Sequence, residues 1–325
     1  MPISRRTLLA GAALAATLAT GANAQTVWNM PTPYADGNFH TQNIRTFAAD
    51  VERATNGALR IVVHSGGSLF PHAQIKRNVR QGTAPLGEVL ISLHANEAPI
   101  YGLDSVPFLA VSFDQARKLY AASKASLERR LAEEELQLLF SVPWPPQGLF
   151  ARRQINSVED LRGLRFRTYN PGTGRIAAIA GATPVQVEAA DLPTAFATGR
   201  VESTITSAAT GVDTRIWEFT THYHDTQAWI PRNMVIVNRA QFAALPQAQR
   251  DAVLAAARAA EERGWEVAAR ETQTRTQLLR DNRMTVLDPT PALRDGLLAI
   301  GRTIATEWEA AAGADGRAIL EAYRR

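Results

Sequence analysis

The chain has 325 residues, a formal net charge of +4 and no cysteine. The lack of cysteine excludes disulfides, thiolate metal sites and cysteine nucleophiles. Its charges are interspersed and form no basic block of the kind that follows a phosphate backbone, so we expect no nucleic-acid partner.

The first 24 residues have the three zones of a secretory signal. Arg5 and Arg6 make the start positive, residues 8–20 are apolar, and Ala22-Asn23-Ala24 is a small-residue cleavage pattern. The apolar run is too short to span a bilayer of about 30 Å. We therefore expect cleavage after Ala24 and export to the periplasm, and the paired arginines leave both the twin-arginine route and the general route open. Beyond this segment no apolar run is long enough for a membrane span, so the mature chain should not be membrane-embedded.

Short β-like segments then alternate with helical ones. Runs of β-branched or aromatic residues bounded by turn residues predict strands at 26–30, 59–64, 138–144, 164–169, 184–187, 204–207, 234–237 and 285–287. Helices are predicted at 41–55, 113–135, 175–180 and 192–198. This alternation predicts an α/β architecture with mainly parallel sheets.

One predicted helix, at 246–282, is unusually long. The segment is rich in Ala, Arg, Glu and Gln, and it contains one glycine, Gly264, and no internal proline. At 1.5 Å per residue such a helix reaches roughly 55 Å, which exceeds a single small domain. Its apolar positions do not hold a heptad, so a helix crossing two lobes explains the length better than a coiled coil.

The sequence lacks the common short catalytic motifs, including H-E-x-x-H, G-x-S-x-G and the glycine-rich nucleotide-binding strings. His222 and His224 lie on one side of a strand but have no identifiable third ligand, so we expect neither a metal site nor a cofactor. Gly172 and Gly174 follow a strand and precede a helix, as in an anion-binding turn, but a plain strand-to-helix turn is favoured.

Two arginines on the predicted strand 164–169 are candidates for ligand recognition. Arg165 and Arg167 share the face opposite Phe166. An arginine on a strand end can hold a carboxylate through two parallel charge-assisted hydrogen bonds. The pattern by itself does not distinguish such an arginine from an ordinary surface arginine.

An ordered series of segments spans almost the whole mature chain. It comprises 47–57, Ser65-Gly66-Gly67-Ser68-Leu69, 79–82, Val106-Pro107-Phe108-Leu109, 160–167, 182–185, 195–202 and 235–238. This series resembles the solute-binding proteins of tripartite ATP-independent periplasmic (TRAP) transporters, the DctP-like family. The resemblance implies an α/β, two-lobed periplasmic binding protein fold of type II kind, with the long helix spanning both lobes. We expect a signal at 1–24, one lobe at 25–144 plus 232–271, and the other at 145–231 plus 272–325.

The resemblance also implies roles for particular residues. Arg167 corresponds to the family's carboxylate-binding arginine, and Asn170 lies where some members contact the ligand. Gln147 stands where many members have a second arginine, and Thr206 lies in the segment where others have a ligand-contacting asparagine. A second carboxylate would be buried without a partner. We therefore expect a small organic monocarboxylate, a 2-oxo or 2-hydroxy acid with an apolar or aromatic tail. The remaining candidate ligand-binding residues are Trp144, Trp229 and Glu88, and Tyr169 is a further candidate wall of the tail.

The family implies capture of the carboxylate between closing lobes and delivery to the TRAP membrane permease subunits, by a monomer that catalyses no reaction. Two alternatives stay open. A periplasmic enzyme on the same scaffold would need a positioned base, for which Glu88 or Glu188 are candidates. A ligand-sensing module would bind in the same way but report to a membrane receptor.

Overall fold

Residues 25–325, the part of the chain that this computed structural model describes, contain strands in three sheets and nine α-helices. The predicted export signal lies outside the described residues. The strands are β1 (Thr26–Pro31), β2 (Leu59–His64), β3 (Leu86–Leu90), β4 (Leu136–Pro143), β5 (Gln147–Ala151), β6 (Arg165–Thr168), β7 (Thr183–Gln186), β8 (Ser203–Ser207), β9 (His222–His224), β10 (Arg232–Asn238) and β11 (Thr285–Leu287). The helices are α1 (Phe39–Ala54), α2 (His72–Arg80), α3 (Phe113–Glu133), α4 (Pro171–Ile179), α5 (Leu192–Ala197), α6 (Ala208–Asp213), α7 (Arg239–Ala244), α8 (Gln247–Asp281) and α9 (Pro291–Arg324). Short 3-10 helices occur at Ile91–His94, Pro99–Ser105, Val158–Leu161, Ala189–Asp191 and Ile216–Glu218.

The sheets divide between two lobes, which confirms the predicted fold class. The first lobe contains the pair β1–β2 and the three-stranded sheet β3–β10–β4. The second lobe contains the six-stranded sheet β11–β9–β5–β8–β6–β7. Only Trp144, Pro145 and Pro146 separate β4 from β5, so one extended stretch of chain passes from the first lobe into the second. The residue boundaries of the lobes given above stay a prediction.

The prediction of mainly parallel sheets is wrong. β10 runs antiparallel to β3 and β4, and β5 runs antiparallel to β8 and β9. Parallel pairing is found for β1 with β2, β6 with β7 and β8, and β9 with β11. Parallel neighbours need a crossover connection that returns the chain to the same end of the sheet. β5 instead enters its sheet directly from the other lobe, without such a return, and therefore runs against its neighbours.

The long helix α8 confirms the prediction for this segment. It has 35 residues and packs on α1 and β4 of the first lobe and on α6 and β11 of the second. Gly264 lies at a close approach of the helix to β4, because a Cβ there would be 2.4 Å from Cγ2 of Val142. Next to it, the buried Trp265 donates from Nε1 to the main-chain oxygen of Ser141 at 3.1 Å. The missing side chain thus allows tight helix–sheet packing at the base of the first lobe.

A second long helix, α9, was not predicted. It has 34 residues and packs on α3 and Pro99–Ser105 of the first lobe and on α4 and Val158–Leu161 of the second. Glycines at 296, 301, 313 and 316 weaken its helical pattern, and at Gly313 a φ of 60° kinks it. Packing on both lobes, rather than propensity, stabilises this helix. The strands β3, β5 and β9 and the helices α2, α6 and α7 are likewise additions to the predicted elements.

The apolar core continues through the junction between the lobes. One buried cluster joins Met30 and Phe47 of the first lobe to Leu149 and Phe166 of the second, with Ile300 of α9 packed into it. Burial of this shared surface fixes the base on which the lobes meet. Among the helices of residues 25–325, none has the length and apolar character needed to cross a membrane.

Candidate ligand-binding cleft

A cleft lies between the two lobes, lined by residues from both of them. The first lobe and the chain crossing contribute Tyr34, His72, Leu90, Trp144 and Pro231 to its lining. The second lobe contributes Gln147, Arg167, Tyr169, Glu188, Ala189, Thr206, Ser207 and Thr210. Four of the predicted ligand-binding residues, Arg167, Gln147, Thr206 and Trp144, therefore lie in one cleft.

Arg167 is the buried positive charge of the cleft. Its Nε donates to the main-chain oxygen of Val187 at 2.9 Å, and its Cζ lies 4.6 Å from the ring centroid of Tyr169. Within residues 25–325 its guanidinium has no carboxylate within 4.0 Å, and its terminal nitrogens donate no hydrogen bond. Burial lowers the pKa of Arg167 to about 10, which still leaves the side chain positively charged at neutral pH. The Nε hydrogen bond thus holds the side chain in place, and the two terminal NH₂ groups of the guanidinium are free to bind an anion.

Arg165 lies on the same strand but has a different surrounding. Its side chain is 48% exposed and its Nη2 lies 3.1 Å from Oε1 of Glu202. Its Nε donates to the main-chain oxygen of Gly199 at 2.7 Å. Of two arginines that the sequence did not distinguish, one is therefore a surface ion pair and the other lines the cleft.

Gln147 holds the ring of Tyr169 in position. Its Oε1 accepts a hydrogen bond from the Tyr169 hydroxyl at 2.9 Å, while its Nε2 donates to the main-chain oxygen of Pro145 at 2.9 Å. Burial raises the pKa of Tyr169, so the phenol stays neutral, although Arg167 opposes the shift. Gln147 and Tyr169 together form a neutral, hydrogen-bonded wall beside the arginine.

Trp144 and Tyr34 form the wall on the first lobe. Their rings meet edge to face with centroids 4.9 Å apart. Both donate to Oδ1 of Asn233, Trp144 from Nε1 at 2.9 Å and Tyr34 from its hydroxyl at 3.2 Å. Asn233 in turn donates from Nδ2 to Oε1 of Glu88 at 2.9 Å. One amide behind the cleft therefore orients both aromatic rings.

Three predicted ligand-binding residues lie outside the cleft lining. Glu88 is behind it, where its Oε2 accepts from the Thr32 hydroxyl at 2.6 Å. Trp229 is buried in the core, and its main-chain oxygen accepts from the amide of Gln147 at 3.0 Å.

Asn170 is occupied at the start of α4. Its Oδ1 accepts from the amide of Thr173 at 2.8 Å, which caps the helix. Its Nδ2 donates to the hydroxyl of Ser92 on the first lobe at 2.8 Å. Asn170 therefore joins the lobes instead of lining the cleft, and the segment with Gly172 and Gly174 is the first turn of a capped helix.

His72 and Glu188 face each other across the cleft, a contact that the sequence analysis did not predict. His72 begins α2, and its Nε2 accepts from the amide of Leu90 at 3.0 Å. Its Nδ1 lies 3.4 Å from Oε2 of Glu188, which follows β7 on the second lobe. Sequence reasoning named Glu188 only as a possible base and assigned no role to His72, because no local pattern links two residues so far apart in the chain.

The paired histidines of β9 are both engaged in hydrogen bonds. His224 is buried, its Nε2 accepts from the amide of Ile155 at 3.0 Å, and its Nδ1 faces the main-chain oxygen of Leu149 at 3.3 Å. Both ring nitrogens are thus engaged by the backbone. Residues 25–325 contain no group of three or more side chains with the spacing of a metal site.

Two lobes with an arginine in the cleft between them are the architecture of a solute-binding protein. The sequence model of bacterial extracellular solute-binding protein family 7, DctP, matches residues 32–307, and the chain belongs to this family.

Solved structures of this class are closely similar. DctP6 of Bordetella pertussis, an extracytoplasmic solute receptor binding pyroglutamic acid, is 42% identical with a TM-score of 0.91, over 92% of this chain and 99% of that one. A TRAP solute-binding protein from a marine metagenome, specific for pyroglutamate, is 41% identical with a TM-score of 0.91, over the same shares. A solute-binding protein of Albidiferax ferrireducens is 25% identical over 67% of this chain, and the match spans 66% of that relative's length, just under two thirds.

Proposed function

We propose that this protein captures a small organic monocarboxylate, with pyroglutamate as the favoured ligand, and delivers it to a TRAP membrane permease. The observation that carries the proposal is Arg167, a buried guanidinium in the cleft with no carboxylate of the described chain within 4.0 Å. A buried charge without a partner is costly, and a ligand carboxylate would supply that partner.

The surroundings of Arg167 support a single carboxylate. Gln147, in the position where many family members have a second arginine, is neutral and already hydrogen-bonded to Tyr169 and Pro145. The similar receptors of Bordetella pertussis and of the marine metagenome bind pyroglutamate, a cyclic monocarboxylate. We therefore favour a ring amide in place of the 2-oxo or 2-hydroxy group expected from the sequence.

Closure of the lobes on the ligand is the proposed mechanism. Contacts between the lobes flank the cleft, with Nδ2 of Asn170 donating to Ser92 at 2.8 Å and Nδ2 of Asn38 donating to Oδ2 of Asp213 at 2.7 Å. A ligand that touches both lobes favours the closed state over an open one. We propose that the protein acts in this way in the periplasm, as a monomer and without chemical change of the ligand, and that the closed form is recognised by the permease.

Isothermal titration calorimetry of the ligand-free protein with pyroglutamate tests the proposal. Arg167→Ala would leave the bound carboxylate buried and unpaired, so we expect a loss of about 2–5 kcal/mol of binding free energy. Arg165→Ala, on the same strand but in a surface ion pair, is the matched control and should bind as the wild type does. Wild-type affinity in Arg167→Ala would refute the assignment of the carboxylate site.

A further inference from the structure

Glu188 places a carboxylate in the same cleft as Arg167. Its side chain is 31% exposed and its Oε2 lies 3.4 Å from Nδ1 of His72. Burial acts to raise the pKa of Glu188, but the hydrogen bond with His72 and the charge of Arg167 bring the pKa below its usual value. The cleft therefore contains an ionised carboxylate at neutral pH, which a site built only for anions would not need.

The hydrogen bonds of His72, Tyr34 and Tyr169 engage the N–H or O–H donors of these three side chains. Nε2 of His72 accepts from Leu90, so its proton is on Nδ1, towards Glu188. The hydroxyl of Tyr34 donates to Asn233, and the hydroxyl of Tyr169 donates to Gln147. Each phenol thus has its donor in use and offers a lone pair. Glu188, Tyr34 and Tyr169 can all accept a hydrogen bond in a cleft where Arg167 is the cationic donor.

The charges in the cleft also favour a monocarboxylate with an N–H donor over a dicarboxylate. Arg167 and Glu188 cancel, so a bound monocarboxylate leaves one net negative charge and a dicarboxylate leaves two. A second ligand carboxylate near Glu188 would meet a like charge in a poorly solvated space, which is strongly unfavourable. A ligand N–H group near Glu188 would instead gain a charge-assisted hydrogen bond.

We propose that Glu188, with the hydroxyls of Tyr34 and Tyr169, forms an acceptor subsite that selects ligands carrying an N–H donor beside the carboxylate and rejects dicarboxylates. This proposal rests on the proposed function, since it assumes that Arg167 holds the ligand carboxylate. It assigns to Glu188 a role in ligand specificity that is distinct from its contact with His72 of the other lobe.

Two pairs of ligands that differ only in the ring N–H test the subsite by calorimetry. The first pair is pyroglutamate and its lactone analogue 5-oxotetrahydrofuran-2-carboxylate, and the second is pyrrole-2-carboxylate and furan-2-carboxylate. For the wild type we expect the N–H member of each pair to bind about 10- to 100-fold more tightly, as for a hydrogen bond to a charged group.

Glu188→Gln and Glu188→Ala should reduce this preference at least about fivefold, because the charged acceptor is gone. The same variants should bind glutarate more tightly than the wild type does. Glu202→Gln, which removes a carboxylate on the surface of the same lobe, is the matched control and should keep the wild-type preference.

The alternative, that Glu188 only helps to hold the lobes together, predicts a different outcome. Both members of a pair would then weaken by the same factor, the preference would be unchanged, and the subsite would be refuted. If pyroglutamate binds through Arg167 but no N–H preference exists, only the subsite fails. If pyroglutamate does not bind while the pyrrole–furan preference is present and depends on Glu188, the proposed ligand fails and the subsite stands. If the protein binds none of the four compounds, the subsite is refuted.

Discussion

Replacing Asn233 by leucine should loosen the aromatic wall of the cleft from behind. The buried amide of Asn233 joins the indole of Trp144 and the hydroxyl of Tyr34 to the carboxylate of Glu88. Leucine has a similar volume but neither donates nor accepts. Asn233→Leu therefore leaves the indole N–H of Trp144 and the buried hydroxyl of Tyr34 without a hydrogen-bond partner, whereas Oε1 of Glu88 still lies 3.4 Å from Nδ1 of His40.

The magnitude follows from the groups that lose their partners. Each stranded buried polar group destabilises the protein by about 1–3 kcal/mol, so two such groups give about 2–6 kcal/mol. Glu88 also keeps the hydrogen bond from Thr32 at 2.6 Å, so its carboxylate adds little to this loss. Because whole proteins are stable by about 5–15 kcal/mol, the effect is large enough to measure directly.

A double-mutant cycle with Trp144→Phe separates the indole from the other groups. Urea unfolding of the four proteins, followed by circular dichroism, gives the free energies of unfolding. The Trp144→Phe background has no indole N–H that could lose its partner. Asn233→Leu should therefore lower the free energy of unfolding by about 1–3 kcal/mol less in this background than in the wild type. Additivity of the two substitutions within about 0.5 kcal/mol would refute the proposed role of Asn233.

Two further predictions concern the scaffold. Burial raises the pKa of Asp104 to about 6 although Arg232 lies 3.4 Å away, so the stability linked to this carboxyl is complete below a pH of about 4 and is lost as the pH rises through about 6. Asp104→Asn should flatten this part of the curve of unfolding free energy against pH, and an unchanged slope would contradict the assignment. Gly264→Ala should lower the thermal midpoint, because the new methyl group would lie 2.4 and 2.7 Å from the two methyl groups of Val142 and overpacking costs about 1–3 kcal/mol. The control Gly174→Ala, in α4 with no atom within 4 Å of the new methyl, should be neutral or stabilising, and equal effects of both substitutions would refute the close approach of α8 to β4.

The predicted elements succeed where the local pattern is strong. β2 and β11 have the predicted bounds. α8 differs from its prediction by one residue at each end, because a long run of residues with high helix propensity is easily recognised in the sequence. β5 was missed because its residues are buried on both faces and contain a glycine, so they show no alternation. α9 was missed because its glycines hide a helix that is stabilised by packing on both lobes.

The sequence by itself determined the class of fold and singled out an arginine that lines the cleft. Arg167 could be singled out because the ordered segments around it resemble one family, although Arg165 has the same type of side chain on the same strand. Only the tertiary structure decided which other side chains meet that arginine. His72 and Glu188 lie 3.4 Å apart but belong to different lobes, and Glu88 and Asn170 are turned away from the cleft by hydrogen bonds to Asn233 and Ser92. Such contacts depend on how the chain crosses between the lobes, and no periodicity within a segment records that crossing.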